Sequence, residues 1–498
     1  MTEGSHHHHL LDETPGGTEE LKKEVKHDYS SSHDGIVPLN VRRGTWTHHV
    51  PLWLTFYPGF AYMALGFTLY SLGFTLARML LVVAISFTCY LLYAIPAAYM
   101  GATRGQTHSL LSRSIFGVVG SGLISVMVMI IPLGWVGYQS NLLASMWNGL
   151  YGWGPALTIG IVIAVVGITN NVFGFTGISA FARWFAAPVT LLWLLYALVK
   201  ALIVTPGHVL SSHPAGSTTL VLGIILAISF ATYGNEPDVF RYAEPRLRAC
   251  VPPLAIGLFV GQILLPTAGW IIAARVGSGD FGKVFDASVG FSLFGASILA
   301  FVLATGTQVA VNDANYYESL NAGQNLLGGW SHWRRIYTCL ILAAVGGFMA
   351  WWVPQSLSNF FRITALLAVA VPSSTVIMYT DQLLLPRLLG IRRTLDRVPA
   401  WNEAARAYWP AVISLVAAIL FGSYVNGIFP SQDGSPLGGW GIGTVEAWAL
   451  GAVLYVALAA VVKRSPAAER ILGFPQTAIV SALESADTIE PPVMTGAS

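Results

Sequence analysis

Charge is what this chain lacks most. Only 10% of its 498 residues are Asp, Glu, Lys or Arg, against about 25% in a soluble globular protein, so a soluble domain with a solvated surface is excluded. The formal net charge of +2 singles out no partner, and no nucleic acid is expected. Cysteine is almost absent. Cys89, Cys250 and Cys339 fall in or beside separate apolar stretches, so no disulfide framework is expected and they read as packing residues. No Cys/His spacing makes a zinc site, no nucleophile elbow is present, and the spans hold few of the clustered His, Asp or Glu that an intramembrane enzyme needs. No enzyme and no bound cofactor are therefore expected. The lack of a P-loop argues against ATP-driven transport by this chain alone. Gly277-Ser278-Gly279-Asp280-Phe281-Gly282 spells G-x-G-x-x-G, but it follows an apolar stretch and lacks the strand before and helix after that dinucleotide binding requires, so it reads as a loop turn. The run His6 to His9 lies in a polar tail and reads as low complexity.

What is abundant is apolar length. The chain is 54% hydrophobic with 16 Trp, and a helix needs about 20 apolar residues to cross a roughly 30 Å hydrocarbon core. Twelve stretches qualify: 50–73, 77–100, 119–148, 155–175, 184–205, 218–236, 251–274, 288–314, 336–355, 361–380, 407–428 and 442–462. Putting both termini on one side leaves only Arg78, Lys200, Arg275, Lys283 and Arg362 on the other, with the remaining 21 of 26 Lys and Arg beside the termini. That bias places both termini in the cytoplasm. The fold class is all-α integral membrane, multi-pass, with the lipid bilayer as partner. Residues 1–44 and 465–498 read as cytoplasmic tails, the first disordered, around a transmembrane domain at 45–464.

Two spans are interrupted. In the sixth, Tyr233-Gly234-Asn235-Glu236-Pro237-Asp238 follows an apolar run; glycine relaxes the backbone and proline removes a donor, so the helix should end or unwind there. The first span sets Pro58-Gly59 between Tyr57 and Phe60. Breaks at corresponding places in two halves point to a transporter's midplane site, with spans one to five (45–205) and six to ten (218–380) as inverted repeats and spans eleven and twelve (407–462) appended. In the third span Trp135 and Gln139 are four apart and share a face, a flat aromatic beside an amide that both donates and accepts. In the eighth, Asn312, Asn315 and Tyr316 share a face, and Asp313 is its one carboxylate near the interior. Polar groups at such depth are functional by default. Between spans two and three, Gly105 to Gly117 is amphipathic and basic, and should lie along the membrane interface.

Four of these stretches, in order, resemble the nucleobase:cation symporter family one, the permeases for cytosine, uracil, purines, allantoin and hydantoin. They are Leu111-Ser112-Arg113-Ser114-Ile115-Phe116-Gly117, Gly134-Trp135-Val136-Gly137-Tyr138-Gln139, Pro237-Asp238-Val239-Phe240-Arg241-Tyr242-Ala243 and Asn312-Asp313-Ala314-Asn315. The resemblance implies a LeuT-type fold of twelve helices, a five-plus-five inverted repeat with broken helices one and six, and symport by alternating access in the plasma membrane. It implies that Trp135 stacks on a ring substrate, that Gln139 bonds the ring's edge, that Phe230 closes the other face with Ser229 beside it, and that Asn315, or Asn312 as second choice, reads the polar edge. The coupling ion is sodium or a proton. A sodium site would use backbone carbonyls at the first break, beside Phe60, and hydroxyls of the eighth span; Ala310 and Val311 stand where hydroxyls are expected, leaving Thr305 and Thr307 nearby. Proton carriers would be Glu236, Asp238 or Asp313, since burial favours the protonated carboxyl; for Asp238 an ion pair with Arg241, three residues on, is the favoured reading. An amino-acid or amine transporter of the same fold is the main rival, then a channel or an intramembrane enzyme. Oligomeric state is left open.

Overall fold

The computed structural model describes the chain except residues 1–36, 38–43, 58, 153, 208, 210–233, 281–282, 285–286, 288–296, 328–331, 394–397, 400–403, 426–442 and 474–498. Among the described residues the regular secondary structure is all helical, and one isolated bridge joins Gly44 to Ala243. In chain order the helices are α1 Trp46–Phe56, α2 Phe60–Ser71, α3 Leu76–Arg104, α4 His108–Tyr151, α5 Ala156–Val166, α6 Thr169–Val172, α7 Gly174–Phe181, α8 Ala187–Val204, α9 Asn235–Phe240, α10 Leu247–Leu258, α11 Leu265–Val276, α12 Ser297–Leu327, α13 His332–Gln355, α14 Leu357–Tyr379, α15 Leu385–Leu389, α16 Trp409–Val425, α17 Gly443–Val462 and α18 Ala468–Leu472. Six continuous stretches among the described residues are long and apolar enough to cross a membrane: Leu76–Arg104, His108–Gly149, Gly177–Val204, Leu247–Val276, Arg335–Gln355 and Gly443–Val462. A seventh is the pair α1 and α2, bent by 52°.

That bend is the expected first break. Gly59 sits in extended backbone (φ −147°, ψ 168°) and starts α2, as a Pro-Gly step inside an apolar run dictates. The sixth span is described only from Gly234 onward, so Ser229 and Phe230 lie outside the described residues. Gly234 has φ 106°, a conformation suited to glycine, and opens the short helix α9. The eighth span differs from its expected 288–314: α12 continues to Leu327, which puts Asn312 at the middle of one unbroken helix.

Residues 105–117 do not lie along the membrane surface. All are buried, and Arg113, whose charge suggested an interface, finds its partners inside the protein. Arg113 donates from Nε to Asn325 Oδ1 at 3.1 Å and from Nη1 to the Pro399 carbonyl at 2.9 Å. The helix breaks instead at Gly117 (φ 77°, ψ −175°), where Val118 and Val119 donate to the Ala405 and Arg406 carbonyls at 2.9 Å each. The beginning of the expected C-terminal tail is likewise docked, with Arg393 donating to the Leu472 carbonyl at 2.7 Å and pairing with buried Asp381 at 3.1 Å.

Packing divides the bundle. α1 packs on α10, α2 on α11, and α3 on α9 and α10, while α4 packs on α12, α13 and α5, and α13 on α5. Close helix approach inside lipid relies on small residues, and Gly137 of α4 supplies it: a Cβ there would stand 2.5 Å from the Met349 carbonyl carbon of α13. Where the two groups meet, the first break faces α4 and α12.

Candidate functional site

A polar seam runs between the antiparallel helices α4 and α12. Gln308 Nε2 donates to Gln139 Oε1, Asn312 Nδ2 to Ser140 Oγ at 3.0 Å, and Ser319 Oγ to the Met129 carbonyl at 3.0 Å. Interpolating between the pairs 139–308 and 129–319 sets Trp135 at the height of Asn312 to Asn315. The amides repeat every three or four residues, so one face of α12 carries them all.

The first break closes on this seam. A Cβ on Gly59 would lie 3.3 Å from Val311 Cγ2 and 3.4 Å from Gln139 Oε1, so the expected amide, the broken helix and α12 do converge. Trp135 is 3% exposed and packs against Ala61 of α2 and Val353 of α13, with Tyr138 edge-on at 5.6 Å. Two amide atoms in the seam have no hydrogen-bond partner, Asn315 Nδ2 and Asn312 Oδ1, though both residues are buried. A buried polar atom left unpaired costs about 1–3 kcal/mol. Such atoms suit a ligand that brings its own donors and acceptors.

The coupling candidates scatter. Phe60 is the first residue of α2, and its side chain lies outside the described residues. Thr307 receives the Thr190 hydroxyl at 3.0 Å and donates to the Leu303 carbonyl at 3.0 Å, and Thr305 receives Trp147 Nε1 at 3.0 Å. Asp313 turns to α6, accepting from Asn170 Nδ2 at 2.8 Å, while Asn171 Nδ2 donates to its carbonyl at 3.1 Å. Glu236 is fully buried on α9, where Tyr90 OH donates to Oε1 and the Gly234 N–H to Oε2 at 3.3 Å. Asp238 caps the start of α4, its Oδ1 accepting the His108 N–H at 2.6 Å, and it also attracts Arg241, three residues on. Arg241 donates its hydrogen bonds to the hydroxyls of Tyr317 and Tyr242 at 3.1 Å each. The helix-capping role follows from electrostatics: an acid at a helix N-terminus satisfies an orphan N–H and the positive end of the dipole.

Sequence reasoning missed Gln308, Ser140, Asn170, Asn171 and Glu318. Gln308 stands four residues before Asn312 and was readable from that spacing. Ser140 was not, because a lone serine beside a helix face carries no pattern.

Among known proteins, the family described as permease for cytosine/purines, uracil, thiamine and allantoin matches residues 36–451. The cytosine permease of Escherichia coli strain K12 is 26% identical over 408 residues, covering 80% of this chain and 90% of that protein. Among solved structures, the nucleobase-cation-symport-1 family transporter Mhp1, closed with bromovinylhydantoin bound, superposes with a TM-score of 0.64 at 16% identity, over 89% of this chain and 99% of its own. A Na+-coupled sialic acid symporter superposes with a TM-score of 0.59 at 10% identity, over 88% of this chain and 96% of its own. The shared fold is the LeuT-type all-α transporter fold. A match over most of the length, on a chain whose broken first helix faces a polar seam, shows that it belongs to the family of permeases for cytosine/purines, uracil, thiamine and allantoin, as a nucleobase-type secondary transporter of the membrane and not an enzyme.

Proposed function

We propose that this protein imports a neutral planar heterocycle of the nucleobase, allantoin or hydantoin type across the cell membrane by alternating access, with both termini cytoplasmic and a cation gradient as the driving force. The observation that carries the reading is the convergence of Gly59, Gln139 and Val311, with Trp135 one helical turn from Gln139. In this reading Trp135 supplies the ring face, Gln139 and Asn315 the edge contacts with Asn312 in support, and Phe230 with Ser229 the opposing wall. Among the described residues the side chains that pair across the seam are neutral, which supports a neutral substrate over an amino acid or amine. For the coupling ion we favour the proton. Val311 methyls occupy the side of the break where hydroxyls would ligate sodium, and Thr305 and Thr307 are bonded elsewhere.

The test is uptake by proteoliposomes holding the full chain, with radiolabelled cytosine, uracil, hypoxanthine, allantoin and hydantoin offered one at a time, under sodium and proton gradients imposed separately. At least one ring is expected to accumulate and to raise the protein's melting temperature in detergent, since a ligand bound only by the folded state stabilises it by mass action. Failure of every ring in both assays, with accumulation of an amino acid or amine, sinks the reading.

Gln308 is a positioning residue in this scheme. By donating to Gln139 Oε1 it leaves Gln139 Nε2 to face the substrate as a donor. Gln308→Ala is expected to weaken binding about tenfold, on the order of one lost buried hydrogen bond, and to flatten the ranking among rings. Competition binding reads both. An unchanged ranking would mean that Gln139 is oriented by other contacts.

A further inference from the structure

Glu236 and Glu318 lie on two different helices and approach the same backbone. Glu318, 1% exposed on α12, comes so close to Gly234 that a Cβ there would stand 2.4 Å from its Oε1. The N–H of that same glycine donates to Glu236 Oε2 at 3.3 Å. Glu318 Oε1 is buried and has no hydrogen-bond partner. Described groups on the neighbouring elements surround the pair. From α3, Tyr90 donates to Glu236, and Tyr93 is buried nearby. On α9, Asp238 is held by the start of α4. His108 turns its ring Nε2 to Thr375 at 2.8 Å. Arg241, the one cation of the cluster among the described residues, is spread over Tyr317 and Tyr242. It attracts Asp238, and among the described residues neither glutamate is bonded to a cation. Two carboxyls thus meet at one glycine with, among the described residues, no cation bonded to either, so the pair offers a place for a proton.

We propose that Glu236 and Glu318 form the proton-binding pair that couples transport to a proton gradient. The inference rests on the transporter reading above and deepens it. Its mechanical sense follows from the packing. Glu236 rides on α9, which packs on α3, whereas Glu318 belongs to α12, which packs most extensively on α4. The pair therefore straddles the two helix groups. A shared proton joins the carboxyls across that boundary, and its loss leaves two repelling anions there, so proton binding and release bias the groups toward and away from each other. Glu318 lies six residues past Asn312, roughly 9 Å along the helix at about 1.5 Å per residue, close enough for the substrate seam to sense the change without touching the pair.

Two measurements on the purified full-length protein decide it. Infrared difference spectra should show a protonated buried carboxyl in the wild type that Glu318→Gln or Glu236→Gln removes; this needs no substrate, so it judges the pair even if the proposed substrates fail. In proteoliposomes, a gradient of about one pH unit sustains about a tenfold concentration ratio per proton carried. The wild type is expected to accumulate radiolabelled cytosine, or whichever ring it exchanges, toward that ratio. Glu318→Gln is expected to lose accumulation while still exchanging labelled for unlabelled ring at equal concentrations, which also shows that it is folded. If both variants leave the carboxyl band unchanged, or if accumulation follows a sodium gradient and ignores the proton gradient, the assignment is overturned.

Discussion

Replacing Trp135 by alanine is expected to abolish uptake at substrate concentrations where the wild type is half-saturated. A stacked indole contributes about 0.5–1.5 kcal/mol beyond burial, and burying a large apolar side chain or its ligand face contributes about 1.5–3 kcal/mol. Losing about 2 kcal/mol or more weakens binding at least roughly 30-fold, at tenfold per 1.4 kcal/mol. Asn315→Ala should act through a different term, the edge contact, and cost about 1–3 kcal/mol. Because Trp135 also packs on Ala61 and Val353, the comparison that matters is with Trp135→Phe. Phenylalanine keeps a ring face and much of the packing, so it should retain a substantial part of the affinity and melt closer to the wild type than Trp135→Ala does. Binding constants from competition and melting curves in detergent separate the two roles. Wild-type affinity in both Trp135→Ala and Asn315→Ala would remove these residues from the site.

The sequence carried the membrane architecture because apolar length is a one-dimensional property. Eleven of the twelve expected spans have a described helix at their place in the chain. The first break was legible for a related reason: Pro-Gly inside an apolar run has few alternatives. What was not legible depends on pairing across space. Residues 105–117 read as interfacial because Arg113 and its serines are polar, yet Asn325, more than two hundred residues away, holds Arg113 in the interior. Asp238 read only as the partner of the nearest arginine, and it also caps α4 across 130 residues. Glu318 stands three residues past the Asn312 to Asn315 stretch, and only the approach of Gly234 shows what lies beside it. In each case the fold supplied a partner that local spacing did not name.

Gly66 tests whether the break is positioned by the helix behind it. A Cβ at Gly66 of α2 would stand 2.1 Å from the Pro266 carbonyl oxygen and 2.5 Å from the Trp270 nitrogen of α11, and one at Gly269 would stand 2.1 Å from the Met63 carbonyl oxygen. The two backbones are in direct contact, so no side chain can rotate aside to admit a methyl group. Overpacking of this kind costs about 3 kcal/mol or more when only backbone can yield. Gly66→Ala is therefore expected to lower the melting temperature sharply and to abolish uptake, because α2 begins at Phe60, directly after the Gly59 break, and any shift of it moves Gly59 relative to Gln139. Gly122→Ala, in α4 with nothing within 4 Å of the added carbon, is the matched control and should be neutral or stabilising by about 0.5–1 kcal/mol through helix propensity. Equal melting temperatures for the two variants would mean that α2 and α11 are not locked together. A folded, ligand-binding Gly66→Ala protein would further mean that the first break holds its place against Gln139 without the helix behind it.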